Sequence, residues 1–167
     1  MLSYARAVDA RTVLDLLERR GQTLATAESL TGGRLAAAVT AVPGASRVYL
    51  GGVVSYATAV KEDLLGVPGA LVERYGVVSP ECARAMAEGA RHRLAATYAV
   101  STTGVAGPDS QDGHPVGTVF VGIAGPAGVT ALALELAGDR RTIQERTCIE
   151  ALDAVADVLR REEPGLG

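Results

Sequence analysis

Hydrophobic and polar positions follow two different periods along this chain of 167 residues. Over residues 5–20 apolar positions recur at helical spacing among charges, which predicts a surface helix that ends at Gly21. Beyond it, small-residue and apolar runs at helical spacing alternate with short β-rich stretches. The predicted strands cover 22–29, 46–58, 98–107 (running into a loop), 118–125 and 129–136. The predicted later helices cover 34–42, 59–67, 80–97 and 140–161.

Local signals support several of these boundaries. Ser79 is a good N-cap, Pro80 suits the first helical position, and Gly66 is placed to cap the short helix before it. Only three residues separate the last two strands, so they are predicted to form an antiparallel hairpin. Because helices alternate with strands before this hairpin and no repeat or linker occurs, the pattern predicts one α/β domain over residues 1–167. Its helices should lie on both faces of a mixed sheet.

Composition narrows the classes of function. The chain is 48% hydrophobic and 21% charged with a net charge of −3, the balance of a soluble globular protein. It has no basic run with interleaved aromatic residues, which argues against a nucleic-acid partner. No apolar stretch of about eighteen residues occurs, so neither a membrane span nor membrane association is expected. Cys82 and Cys148 form no CxxC or Cys/His cluster, which indicates reduced, apolar cysteines in a cytoplasmic protein, with no metal and no cofactor expected.

One residue departs from the composition of the rest. Lys and Arg together number 16, and Lys61 is the only lysine among them. Two interpretations are open at this point. Lys61 is either a stray cation on a solvated face or a base, because a buried lysine can lose its proton whereas arginine cannot. At an ordinary pKa near 10.4, useful basicity at neutral pH needs a depression of about 3 units.

Other candidate chemistry lies where predicted strands end. Ser29 follows Glu28 at a strand end, just before Thr31-Gly32-Gly33 opens a helix, and it is either a nucleophile or an N-cap. Tyr56 and Lys61 lie at the next such junction, and a serine paired with lysine needs no histidine. The loop over 102–118 suits a polar ligand or is simply a surface loop.

The order of these segments adds more than any one of them. The stretches "AESLTGGRLAAAVTAVPGASRVYLGGVVSYATAVKEDLLGV", "GVVSPECARAMAEGA", "TTGVAGPDS", "PVGTVFVGI" and "GDR" resemble the CinA carboxy-terminal domain family. The resemblance covers roughly residues 8–160. It implies a three-layer α/β/α sandwich and a serine amidohydrolase of the kind that hydrolyses the amide of nicotinamide mononucleotide. The chain resembles the stand-alone form, without the additional amino-terminal domain of longer members.

The resemblance also implies roles for particular residues. Ser29 would be the nucleophile, Lys61 its base, Tyr56 a proton relay or orienting hydroxyl, and Ser46 the runner-up for a catalytic role. The implied substrate-binding residues are Glu28, Thr31, Gly32, Gly33, Thr103, Gly104, Ala106, Gly107, Pro108, Thr118 and Arg140. Gln144 stands where the family pattern has a second arginine, which bears on phosphate contacts more than on the chemistry.

The expected function is therefore hydrolysis of a small-molecule pyridine nucleotide, as in pyridine nucleotide salvage. The rival from another class is a non-catalytic nucleotide-binding or regulatory module related to competence or damage responses. Such a module would use the same glycines and Arg140 but would not need a basic Lys61. The Ala-rich helices would allow close packing within the domain or across a homo-oligomer, and the pattern does not choose between them.

Overall fold

A computed structural model describes residues 8–163 of the chain. The helices are α1 Ala10–Arg19, α2 Arg34–Thr40, α3 Thr58–Leu65, α4 Gly69–Tyr75, α5 Pro80–Arg93 and α6 Arg140–Arg161, with a short 3-10 helix at Ala45–Arg47. The strands are β1 Leu24–Glu28, β2 Tyr49–Val54, β3 Tyr98–Gly104, β4 Thr118–Gly125 and β5 Gly128–Glu135.

The five strands form one mixed sheet in the order β2-β1-β3-β4-β5. Strand β1 is parallel to β2 and β3, whereas β3, β4 and β5 pair antiparallel. In the register of the parallel strands, Glu28 lies between Val54 and Thr102. The carboxyl ends of β1, β2 and β3 therefore meet at one edge of the sheet, where α/β proteins place their ligands.

Helices cover both faces of this sheet, which confirms the predicted α/β architecture. Helices α1, α2 and α6 pack together on one face, and α5 lies across the other with α3 and α4 beside it. Gly89 allows α5 to approach the end of α3 closely, since a Cβ there would lie 1.9 Å from the carbonyl oxygen of Leu65. The position of α3, which carries Lys61, thus depends on close contact with α5.

Most predicted elements are confirmed, including the β4–β5 hairpin and the Ser79 cap, whose hydroxyl accepts from the Cys82 N–H at 3.1 Å. Gly66 ends α3 in the left-handed region, as predicted. Cys82 and Cys148 are free and buried, also as predicted. None of the helices within residues 8–163 is long and apolar enough to cross a membrane.

Three predictions about elements need correction. Helix α1 begins at Ala10, because Asp9 caps it by accepting from the Thr12 N–H at 2.9 Å; the start predicted at residues 5–7 lies outside the described range. The strand predicted over 46–58 is shorter, since a 3-10 helix precedes it and α3 follows. Helix α4 was not predicted at all, and none of its residues is buried.

Candidate active site

A cavity of about 170 Å³ opens at the carboxyl edge of the sheet. Its walls come from the residues that follow β1 and β2, from α3, and from the loop after β3. The lining side chains that could take part in catalysis or bind a charged ligand are Ser29, Tyr56, Lys61, Asp109 and Arg140. The structure therefore brings together four residues singled out from the sequence, and adds Asp109.

Lys61 lies at the base of this cavity and is only 1% exposed. Its Nζ lies 3.0 Å from Ser29 Oγ, 2.6 Å from the carbonyl oxygen of Ser55 and 3.2 Å from that of Tyr56. Lys61 is placed by α3, which starts directly after these two carbonyls, so the chain folds back and buries the amine. The interpretation of Lys61 as a stray surface cation is wrong.

The surroundings of Lys61 favour an uncharged amine. Burial lowers its pKa from the ordinary value of 10.5, and the neighbouring Cys82 thiol opposes this only in part. Within residues 8–163 no carboxylate forms an ion pair with Lys61. A neutral amine has two N–H groups and one lone pair. The two carbonyls can accept the two N–H groups, which leaves the lone pair for the Ser29 hydroxyl.

Ser29 is held by its main chain, and its hydroxyl stays available to Lys61. The Ser29 N–H donates to the carbonyl of Thr102 at 2.9 Å, and its own carbonyl accepts from the Gly32 N–H at 3.1 Å. The N-cap of α2 is Gly33, at φ +99°, so the alternative in which Ser29 caps this helix is wrong.

Glu28 does the capping instead. Its carboxylate accepts from the hydroxyl of Thr31 at 2.6 Å and from the N–H groups of Leu35 and Ala36 at 2.8 and 3.1 Å. The Thr31 hydroxyl also bonds to that of Thr102 at 2.8 Å. Glu28 and Thr31 are buried beneath the turn and do not line the cavity, so the structure corrects their expected role as substrate contacts. Their side chains support the turn that holds Ser29.

Tyr56 and Arg140 stand together at the mouth of the cavity. The Arg140 guanidinium donates to the Tyr56 hydroxyl at 2.9 Å and to the carbonyl of Gly107 at 2.6 Å. Tyr56 is 61% exposed, and only its main-chain carbonyl contacts Lys61. Of the two roles expected for Tyr56, this geometry favours an orienting hydroxyl over a proton relay.

Ser46 is not brought to this site. It lies exposed in the 3-10 helix that precedes β2, whereas Lys61 and Ser29 lie beyond the other end of that strand. A strand of six residues spans roughly 20 Å. The expectation of a catalytic Ser46 is therefore corrected for this chain.

The remaining predicted contacts divide into three groups. Those lining the cavity are Thr103, Gly104, Ala106 and Gly107, with the Thr103 hydroxyl already donating to the carbonyl of Val77 at 2.7 Å. Gly32 lines a neighbouring depression instead. Those lining neither are Gly33, Pro108 and Thr118. Thr118 begins β4, and its carbonyl accepts from the Val105 N–H at 2.9 Å.

The neighbouring depression has a volume of about 620 Å³ and shares Tyr56 and Arg140 with the cavity. Arg34 and Arg141 also line it, together with Asp139 and Gln144. Within the described residues, neither Arg34 nor Arg140 forms an ion pair with a carboxylate. The depression is therefore a cationic surface directly beside the serine–lysine pair.

Several site features carry no signal in the sequence. The two carbonyls that bind Lys61 belong to the main chain, which any residue type can provide. Gln144 donates from Nε2 to the carbonyl of Leu30 at 2.8 Å, across 114 positions of sequence. Asp109 was visible as part of a polar loop, but only the fold turns that loop towards Lys61. Within residues 8–163 no three His, Cys, Asp or Glu side chains group as a metal site would require.

The fold and this site together define a three-layer α/β domain in which a buried lysine contacts a half-buried serine at the carboxyl edge of the sheet. The comparison with protein families agrees with the resemblance noted from the sequence: the model of the CinA C-terminal domain matches residues 7–159. The chain therefore belongs to the CinA C-terminal domain family. This is a family of competence- or damage-inducible proteins, and it includes some amidohydrolases.

Individual relatives support the same assignment. A CinA-like protein of Frankia casuarinae is 52% identical over 147 residues, which is 88% of this chain and 34% of that protein. This chain thus spans about a third of the length of the curated relatives it matches. The structure of competence damage-inducible protein A from Klebsiella pneumoniae has a TM-score of 0.89 at 32% identity, covering 92% of this chain and 96% of that one. A competence/damage inducible protein from Agrobacterium tumefaciens gives 0.86 at 34% identity, covering 90% and 93%.

Proposed function

We propose that this domain is a serine amidohydrolase that converts nicotinamide mononucleotide to nicotinate mononucleotide and ammonia. The observation that carries this proposal is the 3.0 Å contact between Ser29 Oγ and a lysine amine that is 1% exposed. A nucleophilic hydroxyl needs an adjacent base, and a desolvated lysine is a base without histidine. A module that only bound nucleotides would have no use for burying an amine against a serine.

The first half of the proposed reaction forms an acyl-enzyme. Neutral Lys61 takes the proton from the Ser29 hydroxyl as Oγ attacks the carboxamide carbon and the carbonyl electrons move onto oxygen. When the tetrahedral intermediate collapses, the C–N bond breaks and the Lys61 ammonium returns its proton to the leaving nitrogen, which departs as ammonia. The main-chain N–H groups of the turn follow Ser29 directly in the sequence, and they are the proposed donors to the developing oxyanion.

The second half reverses these proton transfers. Lys61 takes a proton from water, which attacks the ester carbon of the acyl-enzyme. Collapse of the second intermediate breaks the C–O bond to Ser29, the Lys61 proton returns to Ser29 Oγ, and the product leaves as a carboxylic acid that ionises to the carboxylate by giving its proton to solvent. The carbonyls of Ser55 and Tyr56 hold the amine in place through both halves, so one nitrogen serves both steps.

The charges of the cavity support a zwitterionic substrate. Asp109 is the only carboxylate among the described residues that line the cavity, where Lys61 is the neutral amine and Arg140 the one guanidinium. A pyridinium ring beside Asp109 would be attracted by that carboxylate. Its positive charge would also keep Lys61 neutral and make the amide carbon more electrophilic.

The size of the cavity supports the same arrangement. Its volume of about 170 Å³ is below the roughly 300–1,000 Å³ of pockets that enclose a whole ligand. The cavity suits a pyridine ring with its carboxamide, and the rest of the nucleotide must then lie outside. The depression lined by Arg34, Arg140 and Arg141 shares Tyr56 and Arg140 with the cavity. Its guanidinium groups make it the proposed binding site for the phosphate.

A coupled ammonia-release assay with nicotinamide mononucleotide tests this function. We expect turnover by the wild-type chain, with a stoichiometric amount of nicotinate mononucleotide. Nicotinamide riboside and a panel of small neutral amides serve as comparison substrates and should react poorly. Binding of the mononucleotide without any ammonia release would favour the non-catalytic module instead.

A further inference from the structure

We propose that Gln144 is a positioning residue for Ser29, acting through the main chain of the turn that follows the nucleophile. The inference rests on the proposed function to the extent that Ser29 is the nucleophile. Gln144 lies in the second turn of α6 and touches neither Ser29 nor Lys61 in any hydrogen bond of the described chain. Its effect on the reaction must therefore be indirect.

The contact itself is specific. Gln144 Nε2 donates to the carbonyl oxygen of Leu30, the residue directly after Ser29, at 2.8 Å. Gln144 is 6% exposed and Leu30 is 3% exposed, so water has little access to replace either partner. A buried carbonyl that loses its donor has to turn towards another one, and the peptide that carries it turns as well.

The surrounding turn shows why this one bond matters. The carbonyl of Ser29 accepts from the Gly32 N–H at 3.1 Å, and that of Thr31 accepts from the Arg34 N–H at 3.0 Å. Gly32 belongs to the turn and Arg34 begins α2 directly after it, so both donors are local and move with the turn. The carbonyl between them, that of Leu30, is held by a side chain of a long helix on a different part of the fold. Gln144 thus fixes the turn relative to α6.

The same helix also fixes the mouth of the site. Arg140 stands one helical turn before Gln144 and bonds to Tyr56 and Gly107. The start of α6 therefore holds the nucleophile turn and the cavity mouth in one rigid frame. Removing the Gln144 donor should loosen the Ser29 side of that frame while leaving the bonds of Arg140 to Tyr56 and Gly107 in place.

The experiment compares four variants with the wild-type chain. Gln144→Met keeps the length of the side chain but removes the donor, and Gln144→Arg restores an N–H donor. Gln144→Asn withdraws the donor by one methylene and replaces the methionine variant if that does not fold. Thr147→Val is the matched control, because it removes a buried hydrogen bond near the same point of α6, from the Thr147 hydroxyl to the carbonyl of Ile143 at 2.7 Å, rather than a bond to the turn.

Two readouts are measured on each folded variant, as judged by circular dichroism. The first is the rate at which a fluorophosphonate probe labels Ser29, with Ser29→Ala as background; the second is kcat and KM for nicotinamide mononucleotide. For Gln144→Met we expect about tenfold slower labelling and an about tenfold lower kcat with KM changed less than roughly twofold. Gln144→Arg should recover most of both rates, and Thr147→Val should resemble the wild type.

Labelling of Gln144→Met at the wild-type rate overturns the proposal, and so does an equal slowing in Thr147→Val. Wild-type protein that is not labelled at Ser29 overturns it together with the nucleophile assignment. If the labelling pattern holds but the mononucleotide is not hydrolysed, only the substrate assignment fails, and the positioning role of Gln144 stands.

Discussion

Strand β2 carries a serine-bearing segment near each of its ends, and the two segments differ in almost every physical respect. At the amino end, Ser46 lies exposed on a 3-10 helix beside Arg47, which pairs with Glu18 in solvent. At the carboxyl end, the buried Ser55 and the main chain of Tyr56 enclose the amine of Lys61, which in turn faces Ser29. The amino end is exposed to solvent, whereas the carboxyl end shields the Lys61 amine from it.

Ser46 and Ser29 are the same type of residue, so a difference in their reactivity has to come from the basic side chain beside each of them. Arg47 is exposed and remains a cation because arginine cannot lose its proton, and its partner Glu18 raises its pKa further. Lys61 has no such partner within the described residues, and burial lowers its pKa. Ser46 therefore gains no base from Arg47, whereas Ser29 gains one from Lys61.

The largest expected effect separates the two serines. Ser29→Ala should lower kcat for amide hydrolysis by at least about 10³-fold, because it removes the atom that attacks the substrate. Ser46→Ala should leave kcat and KM within about twofold of wild type, since the residue lies at the solvated end. The ammonia-release assay measures both. Full activity of Ser29→Ala, or a loss in Ser46→Ala of similar size, would reverse the comparison.

A second prediction concerns Lys61, the amine that faces Ser29. Lys61→Arg keeps a long basic side chain but cannot give up its proton, so activity should fall by roughly 10³-fold. The fold should survive, which a thermal melt can check. As a control, Arg47→Lys makes the reverse substitution at the exposed amino end of β2, and it should leave activity unchanged. A near wild-type rate for Lys61→Arg would show that the base is another group.

The pH dependence of the reaction follows from the same amine. Since the neutral form of Lys61 is the reactive one, kcat/KM should rise with pH along a single limb that levels off below pH 10.5. Stability should change in the same direction. Between the lowered folded pKa and 10.5, the unfolded chain holds a proton that the folded chain has lost, so the free energy of unfolding rises with pH there. A pH–rate profile that falls across this range would contradict the assignment.

A smaller effect is expected at the cationic depression. Arg34→Gln should raise KM for the mononucleotide by roughly fivefold to tenfold, because one charge-assisted contact with the phosphate is lost. The same variant should not change KM for nicotinamide riboside, which has no phosphate. Arg146→Gln is the control: this arginine also lies on the surface but pairs with Glu150, and it does not line the depression. Equal effects on both substrates would place the phosphate elsewhere.

The smallest effect is expected at Asp109. Asp109→Asn should raise KM for the cationic pyridinium substrate by about threefold, as an exposed carboxylate is screened by solvent. Asp112→Asn in the same loop is the matched control, because Asp112 is exposed and does not line the cavity. Steady-state kinetics at low and high salt compare the two variants. Equal KM values for Asp109→Asn and Asp112→Asn would show that Asp109 does not contribute to binding of the pyridinium ring.

Periodicity was sufficient to predict the fold wherever an element buries a face. Helix α5 has both a clear cap and five buried residues, and its start was predicted at Pro80. Helix α4 has no fully buried residue and packs only the partly buried Leu71 and Val72 against the core, so it shows too few apolar positions for a helical period to be detected. For α1, the predicted start was too early because spacing alone does not show that Asp9 bonds to Thr12.

The candidate site was predictable only where its chemistry depends on residue type. Ser29 and Lys61 stand out as a hydroxyl at a strand end and as a lone lysine, and the fold brings them together. Glu28 was assigned the wrong role, because a carboxylate before a glycine-rich turn serves a ligand or a helix equally well. The support from Gln144 and from the carbonyls of Ser55 and Tyr56 arises from tertiary contacts, which no local pattern encodes.

The burial of Lys61 also affects how the protein responds to reagents. As the chain has a single lysine and that lysine is 1% exposed, the folded domain presents no lysine amine to its surroundings. Amine-directed dyes and amine-acylating metabolites should therefore leave Lys61 unmodified while the domain is folded. Modification at residue 61 would then report that the domain has opened, which makes the sole lysine a built-in marker of unfolding.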